Sequence, residues 1–321
     1  MATFLIDDLQ PEKIIHSDII MKMHRLWKAV SLLTILATGI LIWFGILSGK
    51  QNPAQSNKIK LTVTSPEIPG TLSFAGEETP LFRNDIYERL DNELISNTYF
   101  HSNTIKLLKR AKRWFPVIEP ILRENNIPED FKYLALAESG LQNVTSPSGA
   151  KGFWQFLKKT AQEYGLEVNK DIDERYHVEK ATRAACQYLN DAFEKYHNWT
   201  LAAASYNAGM DYISDQLENQ KVNNYYDLYL NPETSRYIFR ILAIKTIFEN
   251  PQKYGFYLNQ SDLYQPLEYT TVKIDTTINN LVDFAKKHGM TYNRLKSLNP
   301  WLRSDKLPDA SRKTYLLKIR K

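Results

Sequence analysis

An uninterrupted apolar run near the N-terminus restricts this chain more than any other feature. From Ala29 to Leu47 the sequence AVSLLTILATGILIWFGIL carries no charge. At about 1.5 Å of rise per residue, a helix of that length just crosses a hydrocarbon core. The run therefore predicts a membrane-spanning helix. Lys22, Arg25 and Lys28 precede it directly, and Lys50 is the one charge in the first residues beyond it. That bias places residues 1–28 in the cytoplasm and exports everything from about residue 48. A cleaved signal peptide is the competing reading. Against it, the run is longer than an ordinary signal core and no clear A-x-A site follows. The stretch has no Cys, which argues against a lipid-modified N-terminus. Met21 and Met23 are alternative starts, since MKMHRLWK and the apolar run together form a complete export signal.

Residues 48–75 mix Pro, Gly, Ser and Asn around a short β-like KLTVT and predict a linker leaving the membrane. Helical periodicity then dominates, so residues 76–262 predict a mainly α domain. Pro128 opens one helix, Asp173 to Glu179 lead into another, and Asn198 or Thr200 caps a third; Gly140 and Gly209 serve as stops. From residue 265 to 321 the order EYTTVKI, INNLVDFAKKHG, YNRLKSLNP, TYLLKIRK reads strand, helix, helix, strand. That is a separate small βααβ module.

A formal charge of +5, with Lys and Arg dispersed along the chain, leaves no nucleic-acid footprint and suits contact with anionic envelope polymers. The single cysteine, Cys186, excludes an internal disulfide and a thiolate metal site. It falls on the apolar stripe of Ala181, Ala185, Leu189 and Ala192, where a packed, inert thiol is expected. The six His have no metal-ligand spacing and there is no phosphate loop, so no metal and no cofactor are expected.

In the helix near Pro128, residues Phe131, Leu134, Ala135 and Glu138 fall at i, i+3, i+4 and i+7. The carboxylate thus shares the apolar face. Set against an apolar wall, it is harder to ionise and can hold a proton near neutral pH, as a general acid must. The alternative is that Glu138 merely ends the helix and meets solvent where the chain turns at Gly140. The adjoining TSPSGAKGFWQF has the look of a substrate wall. Its small residues admit a polymer, Phe153 and Trp154 offer flat faces to sugars, and Gln155 offers a two-sided hydrogen-bonding group. Trp154 and Phe156 could equally be core residues. No Asp or Glu occurs between Glu138 and Glu163, so the sequence supplies no adjacent partner for the usual two-carboxylate glycosidase.

ALAESGLQNVTSPSGAKGFWQF followed by LAAASYNAG resembles the catalytic signature of the lytic transglycosylases in the soluble-transglycosylase and goose-type-lysozyme superfamily. FAGEETPLF, ERLDNELISNTYFHS, IPEDFKYLALAESGL, DERYHVEKAT and ETSRYIFRILAIK extend the resemblance, in order, toward membrane-bound members of that family. It implies a lysozyme-like helical fold with a glycan groove and peptidoglycan as partner. Glu138 would protonate the bond between MurNAc and GlcNAc, then act as base toward the MurNAc 6-hydroxyl, closing a 1,6-anhydro ring. The substrate N-acetyl group would assist, so one protein carboxylate suffices. The resemblance also assigns Ser146 to the substrate N-acetyl region, Gln155 to the groove, Tyr206 to the catalytic glutamate, and Glu233 to holding that tyrosine. Asn207 shapes the turn near Tyr206, and Ser139 is a supporting residue; both could instead only brace helix ends. Ser146 follows Glu138 one residue sooner than in many soluble members. A hydrolytic muramidase on the same fold and a silent glycan-binding scaffold are the rival functions. The C-terminal module resembles a LysM domain, although Asp275-Thr276-Thr277 stands where a Gly-Asp pair is usual.

Overall fold

A computed structural model describes residues 12–48, 63–308 and 313–321. Half of the expected linker, residues 49–62, lies outside them. The chain forms two units, Met1–Val63 and Thr64–Lys321. In the first, α1 (Glu12–Ser48) contains one stretch, Arg25–Gly45, long and apolar enough to cross a membrane, and none of it is buried. Its hydroxyls are satisfied within the helix: Ser31 donates to the Trp27 carbonyl at 2.6 Å and Thr38 to the Thr34 carbonyl at 2.9 Å. Hydrocarbon tolerates Ser and Thr only when they find such internal acceptors.

The second unit is mostly helical. It begins with a short hairpin, β1 (Ser73–Phe74) and β2 (Glu77–Glu78), antiparallel with Phe74 opposite Glu77. Then come α2 (Asn84–Tyr99), α3 (His101–Glu124) and α4 (Phe131–Ser139). After the loop 140–157 follow α5 (Lys158–Glu163), α6 (Val178–Tyr196), α7 (Trp199–Ala208), α8 (Met210–Gln220) and α9 (Pro232–Glu249). Helix α9 is buried all round through its middle, with Ile238, Phe239, Ile241, Leu242, Ala243, Ile244 and Ile247 all buried. A helical stretch apolar all round must be surrounded; α2, α4 and α7 pack around it. Phe74 is wholly buried edge-on to Phe131 at 5.1 Å. The packed unit therefore starts inside the segment that the sequence reads as linker.

The C-terminal module has the expected order. Strands β3 (Thr270–Ile274) and β4 (Tyr315–Ile319) pair antiparallel from Thr270 opposite Ile319 to Ile274 opposite Tyr315. Helices α10 (Leu281–Lys287) and α11 (Tyr292–Leu298) lie between them in sequence. Leu281, Ala285, Leu295 and Leu317 make a core that also takes in Ile172 and Tyr176 from the helical domain. Cys186 is fully buried, and burial pushes its thiol up to about 12, which keeps it an unreactive neutral group.

Candidate active site

Helix α4 ends at Gly140, whose φ of 59° is the left-handed cap that its lack of a Cβ permits. Glu138 therefore sits in the last turn of a helix anchored by Phe131, Leu134 and Ala135, each fully buried. The carboxyl enters a cleft of about 520 Å³ that it shares with Ser146, Gln155, Tyr206, Asn207 and Glu233. Burial is the main influence on it and raises its pKa from 4.5 to about 7; a hydrogen bond from Tyr237 and the charge of Arg240 oppose the rise, while Glu233 adds to it. Near neutral pH it can hold a proton or release one.

The tyrosine on Glu138 is Tyr237, from α9, whose hydroxyl donates to Glu138 Oε1 at 2.5 Å. Burial, followed by the neighbouring Glu138, holds the Tyr237 hydroxyl well above its ordinary pKa of 10, so it stays a donor. The sequence reading assigned that contact to Tyr206. Tyr206 instead donates to the Trp154 carbonyl at 2.7 Å, pinning α7 to the loop 140–157 while still lining the cleft. Glu233 does not hold a tyrosine either: it pairs with Arg240 at 3.3 Å, about two turns along α9. It also brings a second carboxylate to the cleft from far along the chain.

Phe153 and Trp154 are not groove platforms. Trp154 is completely buried, with its indole N–H on Thr182 Oγ1 at 2.8 Å, and Phe153 is buried edge-on to Trp114 at 4.9 Å. Phe156 is core as well. Ser139 is buried and braces the helix end, donating to the Phe153 carbonyl at 2.8 Å. Asn207 Oδ1 accepts from Thr234 Oγ1 at 3.0 Å, joining α7 to α9.

The loop is held by its own backbone. Ser146 Oγ accepts from the Ala150 amide at 3.0 Å and lies 2.9 Å from Ser148 Oγ. Gln155, at φ 50°, donates through Nε2 to the Gly152 carbonyl at 2.7 Å. Beneath it lies Arg175, which sequence reasoning passed over. Its guanidinium pairs with Asp173 at 2.8 Å, both residues buried, and Nη1 donates to the Phe156 carbonyl at 3.2 Å and the Gly149 carbonyl at 3.3 Å.

Comparison with known proteins shows what the chain is similar to. Residues 115–229 match the transglycosylase SLT domain, and residues 270–321 match the soluble lytic transglycosylase C-terminal LysM-like domain. The chain is 27% identical over 246 residues to membrane-bound lytic murein transglycosylase D of Escherichia coli, in each of two strains; the match takes in 73% of this chain. It spans only about half, 52%, of the length of those curated relatives. Among solved structures, an inactive mutant of lytic transglycosylase Slt from Pseudomonas aeruginosa matches 47% of this chain and 26% of its own, at 16% identity and a TM-score of 0.36. That likeness is too slight to bear on the fold. The chain thus carries an SLT transglycosylase domain followed by a LysM-like domain and is homologous to the murein transglycosylases.

Proposed function

We propose that the chain is a peptidoglycan lytic transglycosylase, cleaving the β-1,4 bond between MurNAc and GlcNAc without water and leaving 1,6-anhydroMurNAc ends. The observation that carries the reading is Glu138: a carboxyl with a pKa near 7, fixed by Tyr237 at the floor of an open cleft in the SLT-matched domain. Held protonated, it donates to the glycosidic oxygen as the bond breaks. Left as a carboxylate, it takes the proton from the MurNAc 6-hydroxyl, which closes on the anomeric carbon. One group thus serves both steps. Ser146 and Gln155 line the same cleft and are proposed to contact substrate; Tyr206 and Asn207 shape its wall.

Membrane anchoring through Arg25–Gly45, with the enzyme on the exported side of the cell envelope, is part of the proposal. It rests on the apolar helix, the membrane-bound relatives and the positive charge preceding the span. We also propose domain limits of 76–262 and 265–321, moved earlier at the N-terminal side to admit Phe74.

Glu233 favours one second reading, a hydrolytic muramidase in which that carboxylate activates water across the cleft. Digestion of purified sacculi by wild type, Glu138→Gln and Glu233→Gln, with mass analysis of the muropeptides, separates the two. The proposal requires anhydro ends, lighter by one water, from wild type and Glu233→Gln, and loss of product in Glu138→Gln. Hydrated ends that vanish with Glu233→Gln would replace it with the hydrolase.

A further inference from the structure

The LysM-like module is fastened to the helical domain by more than a linker. Ile172, fully buried, inserts into the module's core, and a bridge pairs it with Leu302. The flanking backbone is stitched on both sides: the Arg303 amide donates to the Asp171 carbonyl at 2.7 Å, and the Asp173 amide to the Trp301 carbonyl at 2.9 Å. Tyr176 follows, with the Arg303 guanidinium over its ring at 4.6 Å. The segment Asp171–Tyr176 is thus gripped by the module on one side.

On its other side the same segment holds the cleft loop. Arg175 carries the Gly149 and Phe156 carbonyls on its guanidinium. The Arg175 carbonyl abuts Gly152 so closely that a Cβ there would sit 1.9 Å from it. Thr145 Oγ1 meets the Tyr176 hydroxyl at 3.3 Å. These contacts bracket the stretch from Thr145 to Phe156, which carries Ser146 and Gln155 into the cleft.

We propose that the LysM-like module is a positioning element for the active-site loop. It acts through the segment Asp171–Tyr176 and the positioning residue Arg175, setting the wall against which Glu138 meets substrate. The role rests on the reading of the cleft as the glycan site, and is separate from any glycan binding by the module itself. A buried Asp–Arg pair can transmit position because it has one low-energy geometry. When the module grips the segment, Asp173 is fixed through its amide and Arg175 through Asp173.

Amide exchange on the full chain tests this without relying on activity. Ile172→Ala empties the plug, and Arg303→Ala removes the cation over Tyr176 together with its bond to the Pro300 carbonyl within the module, leaving Ile172 in place. The amides of Lys151 and Gly152, bonded to the Phe156 and Val144 carbonyls, report the loop, and the α9 amides report the helical domain. Expected is at least tenfold faster exchange at Lys151 and Gly152 in Ile172→Ala, a smaller change in the same direction in Arg303→Ala, and unchanged α9 protection. Faster exchange confined to Asp173 and Glu174, or equal acceleration throughout α9, would overturn the proposal. With sacculi as substrate, Ile172→Ala should raise KM several-fold with a smaller change in kcat and the same pH dependence. An inactive wild type would strike the proposed reaction and leave the exchange result standing.

Discussion

At Glu138 the deciding quantity is the cost of its charge. Burial lifts the folded pKa to about 7 from an ordinary 4.5, so the native state binds a proton that the unfolded chain releases. The associated stability is complete below about pH 4.5 and is lost as pH rises through 7. Glu138→Gln should therefore stabilise the protein at pH 8 by on the order of 3 kcal/mol more than it does at pH 4, while abolishing glycan cleavage. Thermal unfolding at the two pH values checks the first part; an equal shift at both would refute it. Wild-type kcat/KM should fall as pH climbs past about 7, because the acid form is lost. Tyr237→Phe removes a hydrogen bond that lowers the Glu138 pKa, so that falling limb should move to higher pH. A limb that stays put, or moves to lower pH, would show that Tyr237 does not tune the acid. That Glu138 shares a helix face with Phe131, Leu134 and Ala135 was legible from periodicity, and those three are buried; its proposed role came from the resemblance. Tyr237 was not, since it lies beside Ile238, Phe239 and Ile241 in the buried stretch of α9, and pattern cannot separate a core ring from one whose hydroxyl reaches the site.

Among elements, the loop between α4 and α5 was the hardest to read. Alternation and helical spacing assign faces only where there is an axis, and this loop turns at Gly149, Gly152 and Gln155, all with positive φ. Phe153 and Trp154 consequently point into the core, a reading the sequence left open for Trp154 but not for Phe153. The glycines of the loop give a matched prediction. Both Gly149 and Gly152 have φ near +80°, which an L side chain resists, but a Cβ meets nothing at Gly149 and strikes the Arg175 carbonyl at 1.9 Å at Gly152. Gly149→Ala should cost about 1 kcal/mol of stability from backbone strain alone. Gly152→Ala should cost ~3 kcal/mol and most of the activity, since backbone must move as well. Chemical denaturation of the two variants checks this; equal losses would mean that Arg175 does not constrain the loop. The helix caps were the readable part, because Asn198 and Gly140 act through local chemistry: the Asn198 side chain accepts from the Leu201 amide at 2.8 Å, and Gly140 takes the left-handed turn.

For the unit Thr64–Lys321 as a whole, the sequence showed a helical domain and a βααβ module but not that they share a core. Ile172 and Tyr176 look like ordinary residues between helices, and nothing local marks them as contacts for residues more than a hundred positions on. Charge fastens the same junction. Glu179 at the start of α6 receives Lys318 Nζ from β4 and the Tyr269 hydroxyl at 3.3 Å, and His177 Nδ1 lies 3.2 Å from its other oxygen. Burial works against its charge, but His177 and Lys318 outweigh burial and hold its pKa far below the ordinary carboxylate value. The sign is opposite to that of Glu138: the stabilisation is present above the unfolded value near 4.5 and is lost as pH falls toward the folded one. Glu179→Gln should therefore destabilise the protein at pH 7 by about 2 kcal/mol, the worth of a charged, partly buried hydrogen-bonded pair. Its unfolding midpoint should approach that of wild type as pH drops below about 4. A constant gap from pH 7 to pH 3 would mean that the loss comes from packing rather than from the carboxylate. Convergence would mean that acid weakens the junction whose grip on Asp171–Tyr176 is proposed to set the active-site loop, so glycan affinity should fall with acid in wild type and depend less on pH in Glu179→Gln.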